Sequence, residues 1–144
     1  MASNKVHYIT NSLRRKVFEY SKYSCRYCLL PDLVLPGVLQ VDHIIPKKQQ
    51  GTTDEKNLIG CCARCNLLKG VSIAVYFPGD GEIHPLYRPR KNEWSHHFRL
   101  EDNGTIHSKT LIGEGTIRLL SLNQDNRVET RKILTEHGYK FNLA

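Results

Sequence analysis

The sequence predicts an α+β fold whose core is tied together by cysteines and followed by a mixed C-terminal extension. Four cysteines form two Cys-x-x-Cys pairs, and helix-like and strand-like segments alternate between and beside the pairs. The hydrophobic content of 40% is a little low for a self-sufficient core in a chain of 144 residues. A core of this kind gains stability from an additional link, which a bound metal can supply.

The N-terminal part contains one predicted helix and one predicted strand. Apolar residues recur at helical spacing over 10–21, so we expect a helix there with Asn11 or Ser12 as its N-cap. Residues 38–45 are β-branched and apolar, which predicts a strand that ends at Pro46.

The second half of the core contains a loop, a short turn and a helix. Residues 47–53 are polar and predict a loop, and 54–59 can form one helical turn. Residues 62–69 predict a helix, because Gly70 lies where a C-terminal glycine cap belongs. We therefore place the core at residues 1–75.

Residues 76–144 are predicted to form an extension that packs on this core. A loop is expected at 77–81, a hairpin over 97–107, and two short helices over 115–122 and 126–137. The hairpin turns at Asn103-Gly104, and either Asp125 or Asn126 can cap the last helix.

The paired cysteines predict a structural metal site. Each Cys-x-x-Cys pair forms a tight turn, here called a knuckle, that directs two thiolates toward one point. Four thiolates suit a closed tetrahedral zinc site. The four candidate ligands are Cys25, Cys28, Cys62 and Cys65. Cys61 could replace Cys62, but the tighter spacing favours Cys62 and leaves Cys61 as a packed core thiol.

Composition favours a polyanionic partner and a reducing compartment. The net charge is +7, with basic residues spread along the chain. The segment 1–10 is polar and lacks the apolar stretch of a secretory signal, so we expect a cytoplasmic protein with thiols rather than disulfides. No stretch is apolar enough to span a membrane.

A set of candidate catalytic residues lies between and directly after the knuckles. Adjacent side chains of an extended segment point to opposite faces, so Asp42 and His43 need a bend to reach one site. Asp42 and the amide oxygen of Asn66 suit a hard divalent cation such as magnesium. His43 can act as a general base near neutral pH. Asn57 can tie down the loop between strand and helix.

Each of these residues also has an ordinary structural interpretation. His43 beside Asp42 could be a histidine satisfied within a strand, and Asn66 could cap the second knuckle's helix or bond to backbone. The joint spacing with Asn57 and both knuckles favours the catalytic interpretation.

At these positions the chain resembles the HNH endonuclease family, the ββα-metal nucleases with a zinc-bound scaffold. The matching pieces are Cys25-x-x-Cys28, Val41-Asp42-His43-Ile44-Ile45-Pro46, Asn57-Leu58 and Cys62-x-x-Cys65-Asn66-x-x-Lys69. The resemblance implies a ββα-metal (His-Me finger) core, hydrolysis of DNA phosphodiesters, His43 as general base and Asn57 as the loop-orienting residue. It also implies magnesium or manganese on Asp42 and Asn66. The sequence departs from the family pattern in carrying Asn66 where histidine is common and in placing its glycine later, at Gly51.

Basic residues on the second knuckle's helix are the candidates for DNA contact. Arg64 and Lys69 share this helix with Asn66, so we expect them to face phosphates of a DNA partner. Nothing in the sequence indicates base-specific recognition. A monomer and a homodimer are both compatible with the sequence.

Two other functions remain open from the sequence alone. The first is a zinc-stabilised nucleic-acid-binding module without catalysis, which the cysteines and the charge fit equally well. The second is a regulatory or assembly factor that binds another protein through residues 76–144.

Overall fold

Two antiparallel strands followed by a helix form the central unit of the fold. The computed structural model describes residues 8–144, so most of the polar segment 1–10 discussed above lies outside the described residues. Strand β1 (Gln40–His43) pairs in register with β2 (Leu58–Cys61), and helix α2 (Ala63–Lys69) follows. This ββα order confirms the predicted α+β class.

Helix α1 (Asn11–Tyr20) precedes this unit and contacts β2. Its N-cap is Thr10, one residue before the predicted caps, because the Thr10 hydroxyl accepts a hydrogen bond from the Leu13 amide at 3.1 Å. Val17 is fully buried and anchors the helix to the core. The predicted helix is confirmed and the predicted cap is corrected.

The region between the knuckles differs from prediction at three elements. β1 is shorter than the predicted strand, and the helical turn is limited to Glu55–Asn57. Strand β2 was not predicted, because its four residues are all buried and therefore show no alternation. Helix α2 is confirmed, with Cys62 as its N-cap and Gly70 at its end with a positive φ of 51°.

The extension contains two hairpins and three helices. Its elements are β3 (Ala74–Phe77), β4 (Glu82–Pro85), α3 (Trp94–His97), β5 (Phe98–Leu100), β6 (Ile106–Ser108), α4 (Leu111–Leu120) and α5 (Asp125–Glu136). The expected loop at 77–81 proves to be the turn of the β3–β4 hairpin, and the β5–β6 hairpin is confirmed. Helix α4 begins before the predicted start because Thr110 caps it, and α5 begins after Gln124.

One hydrophobic core joins the ββα unit to the extension. Trp94 is fully buried, and its Nε1 donates a hydrogen bond to the backbone oxygen of Tyr27 in the first knuckle at 3.2 Å. Phe98, Leu120 and Leu122 pack in the same cluster as the knuckle cysteines. Across residues 8–144, no helix has the length and apolar character needed to cross a membrane.

The contact of Trp94 with the first knuckle predicts a large loss of stability in Trp94→Ala. We expect the free energy of unfolding to fall by about 3–5 kcal/mol, because the substitution leaves a cavity and an unpaired carbonyl. Urea denaturation of the full chain measures this change. Leu33→Ala is the matched control, since Leu33 is 93% exposed and its truncation should change stability by less than about 0.5 kcal/mol. Equal effects of the two substitutions would contradict the shared core.

Candidate active site and metal centre

The two knuckles bring four thiols together in the interior. The Sγ atoms of the predicted ligands, Cys25, Cys28, Cys62 and Cys65, all lie within 4.8 Å of one another, and all four residues are buried. The Sγ atoms of Cys28 and Cys62 are 3.8 Å apart. Sulfurs about 2.3 Å from one tetrahedral zinc are separated by about 3.8 Å, so the cluster could hold zinc.

Cys61 lies outside this cluster although it is buried beside it. Its Sγ donates to the backbone oxygen of Cys62 at 3.4 Å. Cys62 instead directs its thiol toward the other knuckle and accepts a hydrogen bond from the Cys65 amide at 3.3 Å. The geometry therefore agrees with the choice of Cys62 over Cys61 as a ligand.

Burial makes two of the four thiols, Cys28 and Cys65, hard to ionise. Burial, followed by the hydrogen bond to Cys25, raises the pKa of both the Cys28 and the Cys65 thiol well above the usual range. Four thiolates in such a buried place would need positive charge around them, which a bound metal ion can supply. The donor set, the spacing and the burial together suit zinc.

Asp42 points into the protein interior from β1. Only 4% of the residue is exposed, and the Tyr27 hydroxyl donates to its Oδ2 at 2.8 Å. Lys69 of α2 lies 3.2 Å from each carboxylate oxygen, and its ammonium also donates to the His43 carbonyl at 3.0 Å. Burial raises the pKa of Asp42, and Lys69 opposes that shift. This ion pair joins β1 to α2.

His43 lies on the other side of β1, which pairs regularly with β2 and places adjacent side chains on opposite faces. The bend that would bring Asp42 and His43 to one face does not occur within the strand. The His43 ring is partly buried, and its Nε2 lies 3.1 Å from the hydroxyl oxygen of Thr53. Thr53 belongs to the loop between β1 and β2, so this loop helps to orient the imidazole.

Asn57 holds the β1–β2 loop in place with three hydrogen bonds. Its Oδ1 accepts from the Ile45 amide at 2.9 Å, and its Nδ2 donates to the carbonyls of Ile45 and Thr52 at 3.0 and 2.8 Å. Gly51 fits beneath this network only because it has no side chain, since a Cβ would lie 1.7 Å from the Ile45 oxygen. Asn57 thus fixes the segment that carries Thr53.

Asn66 follows the last knuckle cysteine on α2. Its Nδ2 donates to Oε1 of Gln40 on β1 at 2.7 Å. This bond fixes the amide orientation and leaves the amide oxygen as the group suited to a hard cation. Asn66 does not cap the helix, because Cys62 takes that position.

The two basic residues predicted to contact DNA differ in exposure. Arg64 is exposed on α2, as a phosphate contact requires. Lys69 is only 2% exposed and is ion-paired with Asp42, so the phosphate contact expected for Lys69 is corrected to a structural ion pair. Burial of this ammonium group depends on a carboxylate partner, which the sequence of α2 by itself could not identify.

The candidate catalytic metal site has suitable donors but also a competing cation. Asp42 and Asn66 offer a carboxylate and an amide oxygen, the ligand types that magnesium and manganese prefer. However, the Lys69 ammonium already contacts both Asp42 oxygens. The donor chemistry therefore fits a divalent cation, provided that Lys69 shares the carboxylate with it.

The role of Gly51 predicts that Gly51→Ala disrupts the loop that orients His43. The new Cβ would overlap the Ile45 carbonyl, and we expect the free energy of unfolding to fall by about 1–3 kcal/mol. Chemical denaturation measures this loss, and amide hydrogen exchange at Ile45 reports the loop itself. Gly79→Ala is the control, because a Cβ added at Gly79 would have no atom within 4 Å. Full protection of the Ile45 amide in Gly51→Ala would refute this account.

The thiol cluster predicts one zinc ion per chain. It also predicts that substitutions of Cys65 and of Cys61 have different effects on zinc binding. Cys65→Ser should lose the zinc, because an alcohol is a poor substitute for a thiolate ligand. Cys61→Ser should retain it, because Cys61 is outside the cluster. Elemental analysis of the reduced proteins after gel filtration measures zinc per chain. Loss of zinc in Cys61→Ser alone would reverse the assignment.

A comparison with protein families finds a match in the core of the fold. The family model described as HNH endonuclease matches residues 25–72, which contain both knuckles, β1, β2 and α2. Neither the curated proteins nor the solved structures contain a significant match to the chain. This match confirms, over residues 25–72, the resemblance inferred from the motifs.

Proposed function

We propose that this protein is a metal-dependent endonuclease that hydrolyses DNA phosphodiester bonds. One observation carries the proposal: within a segment that matches the HNH family, His43 on β1, Asn57 just before β2 and Asn66 on α2 belong to a single ββα unit. The network around Asn57 orients the β1–β2 loop beside His43. A purely structural zinc module has no need of this arrangement.

His43 would act as the general base. The Thr53 hydroxyl lies 3.1 Å from Nε2 and orients the ring. The neutral imidazole would then take the proton from the attacking water. Asn57 would support this step indirectly, by holding the loop that carries Thr53.

Asp42 and Asn66 would hold the divalent cation. When bound, magnesium or manganese would stabilise the negative charge that develops on the phosphate and on the leaving oxygen. Gln40 keeps the Asn66 amide oriented, and Lys69 supplies positive charge to Asp42 from the interior.

A DNA partner fits the charge of the chain. The net charge of +7 favours a polyanion, and Arg64 projects from the same helix as Asn66. Such contacts to phosphates position the backbone and do not read the base sequence.

One observation favours the alternative of a zinc-stabilised binding module without catalysis. Asp42 is buried and paired with Lys69 and Tyr27, so its charge is already compensated without a divalent metal. In that alternative Asp42 is a structural residue, and His43 contributes nothing to DNA binding.

Cleavage of supercoiled plasmid by the zinc-loaded protein tests the proposal. We expect magnesium or manganese to support relaxation or linearisation by wild type and a chelator to abolish it. His43→Ala should cleave at least about 100-fold more slowly, because a positioned general base contributes about that much or more. His96→Ala is the control, since this side chain is 71% exposed and pairs with Glu93 on the surface.

A mobility-shift assay on the same proteins separates the two functions. A nuclease with a defective base should still bind DNA, so His43→Ala should shift DNA like wild type while failing to cut it. Metal-dependent cleavage by His43→Ala at the wild-type rate would contradict the proposed mechanism. DNA binding by wild type without cleavage under any metal condition would instead support the binding module.

A further inference from the structure

Helix α5 of the extension buries two arginines that have no acidic partner. Arg127 is 5% exposed and Arg131 is fully buried. Within residues 8–144, neither guanidinium has an aspartate or glutamate oxygen within 4.0 Å. A buried charge without an opposite charge is strongly unfavourable. The compensating negative charge must come from another source.

Arg127 directs its guanidinium at the knuckle sulfurs. Its Nη2 lies 2.8 Å from Sγ of Cys65 and 3.3 Å from Sγ of Cys62. Its Nη1 donates to the carbonyls of Leu120 and Ser121 at 2.7 and 3.1 Å. These hydrogen bonds to carbonyl oxygens fix the plane of the guanidinium, so that its Nη2 faces the thiols.

The guanidinium of Arg131 bonds to a backbone carbonyl of the other knuckle, the one that contains Cys25 and Cys28. Its Nη1 donates to the carbonyl of Cys28 at 3.2 Å, and its Nη2 donates to the carbonyl of Leu122 at 2.6 Å. Its Nε donates to the carbonyl of Gly104 at 2.7 Å. Arg131 therefore joins the first knuckle, the turn of the β5–β6 hairpin and the end of α4.

The charges of the cluster and of the two arginines cancel. Four thiolates around one zinc ion carry a net charge of two minus, and two guanidinium groups carry two plus. We propose that Arg127 and Arg131 complete the zinc site, with Arg127 as a direct hydrogen-bond donor to the Cys62 and Cys65 thiolates and Arg131 as the second counter-charge. This inference rests on the zinc occupancy proposed for the four cysteines and is independent of nuclease activity.

The proposal gives the extension a role in holding the metal. A thiolate that accepts a charge-assisted hydrogen bond is held in place, and its negative charge is partly neutralised. Residues 25–72 supply all four ligands, whereas α5 supplies the positive charge around them. Loss of Arg127 should therefore weaken zinc binding although every ligand remains.

Zinc competition with a chromogenic chelator, using the full-length chain, tests this inference. We expect Arg127→Met to lower zinc affinity about 10–100-fold, as is usual when a group bonded to a metal ligand is removed. Arg131→Met should also weaken binding, and Arg127→Lys, which keeps the charge, should recover part of the loss. Arg118→Met is the matched control, because Arg118 bonds to a backbone carbonyl and lies over the Phe77 ring, while it is exposed.

Cobalt substitution separates a direct bond to the thiolates from general packing. Removing a hydrogen bond from a cobalt-bound thiolate raises the energy of its electrons, so the thiolate-to-cobalt charge-transfer band of Arg127→Met should move to longer wavelength. A packing role alone would leave the band in place. If Arg127→Met is insoluble, Arg127→Gln and Arg127→Lys serve for the same two measurements.

The outcomes distinguish failure of the arginine role from failure of the zinc site itself. Wild-type affinity and an unshifted band in both Arg127→Met and Arg131→Met would overturn the inference while leaving the zinc site intact. A wild-type chain that takes up no zinc would overturn both the zinc site and the inference. Weaker binding with a shifted band in Arg127→Met, but not in Arg118→Met, supports the inference whether or not the protein cuts DNA.

Discussion

The meeting of four thiols at one buried point is the constraint on which the rest of this structure depends. Cys25 and Cys28 lie before β1, and Cys62 and Cys65 lie at the start of α2. Joining the knuckles fixes where α2 begins relative to the strands. The next residue, Asn66, then reaches Gln40, and Lys69 reaches Asp42. A structural cluster and a candidate active site thus share one short helix.

The sequence predicted best those elements whose ends are chemically marked. Gly70 marks the end of helix α2 and Asn103-Gly104 marks the turn of the β5–β6 hairpin, so both elements were predicted correctly. Strand β2 was missed because all four of its residues are buried, which erases the alternation that marks a half-exposed strand. The β3–β4 hairpin was missed because only its turn carries a clear sequence signal.

For the site residues, spacing along the chain predicted which side chains come together, but it did not predict how buried each one is. Spacing along the chain was enough to select the four thiols, to exclude Cys61 and to single out Asn57. The exposure of a side chain could not be derived from the sequence, so Lys69 was predicted as a surface cation although it is buried against Asp42. Arg127 and Arg131 carried no local signal of this role, because their partners in the knuckles lie 62 and 103 residues away.

The position of these arginines has a consequence for the order of events during synthesis. Four cysteines that suit a metal leave the ribosome well before α5, because Arg127 follows Cys65 by 62 residues. A nascent chain can thus gather its ligands while their negative charge is still unopposed, and contacts that close over long separations form slowly. With zinc bound as proposed, metal capture and metal retention would be two stages, because retention would wait for the arginines of α5. Cleavage that removes α5 would then return the cluster to the stage of capture alone.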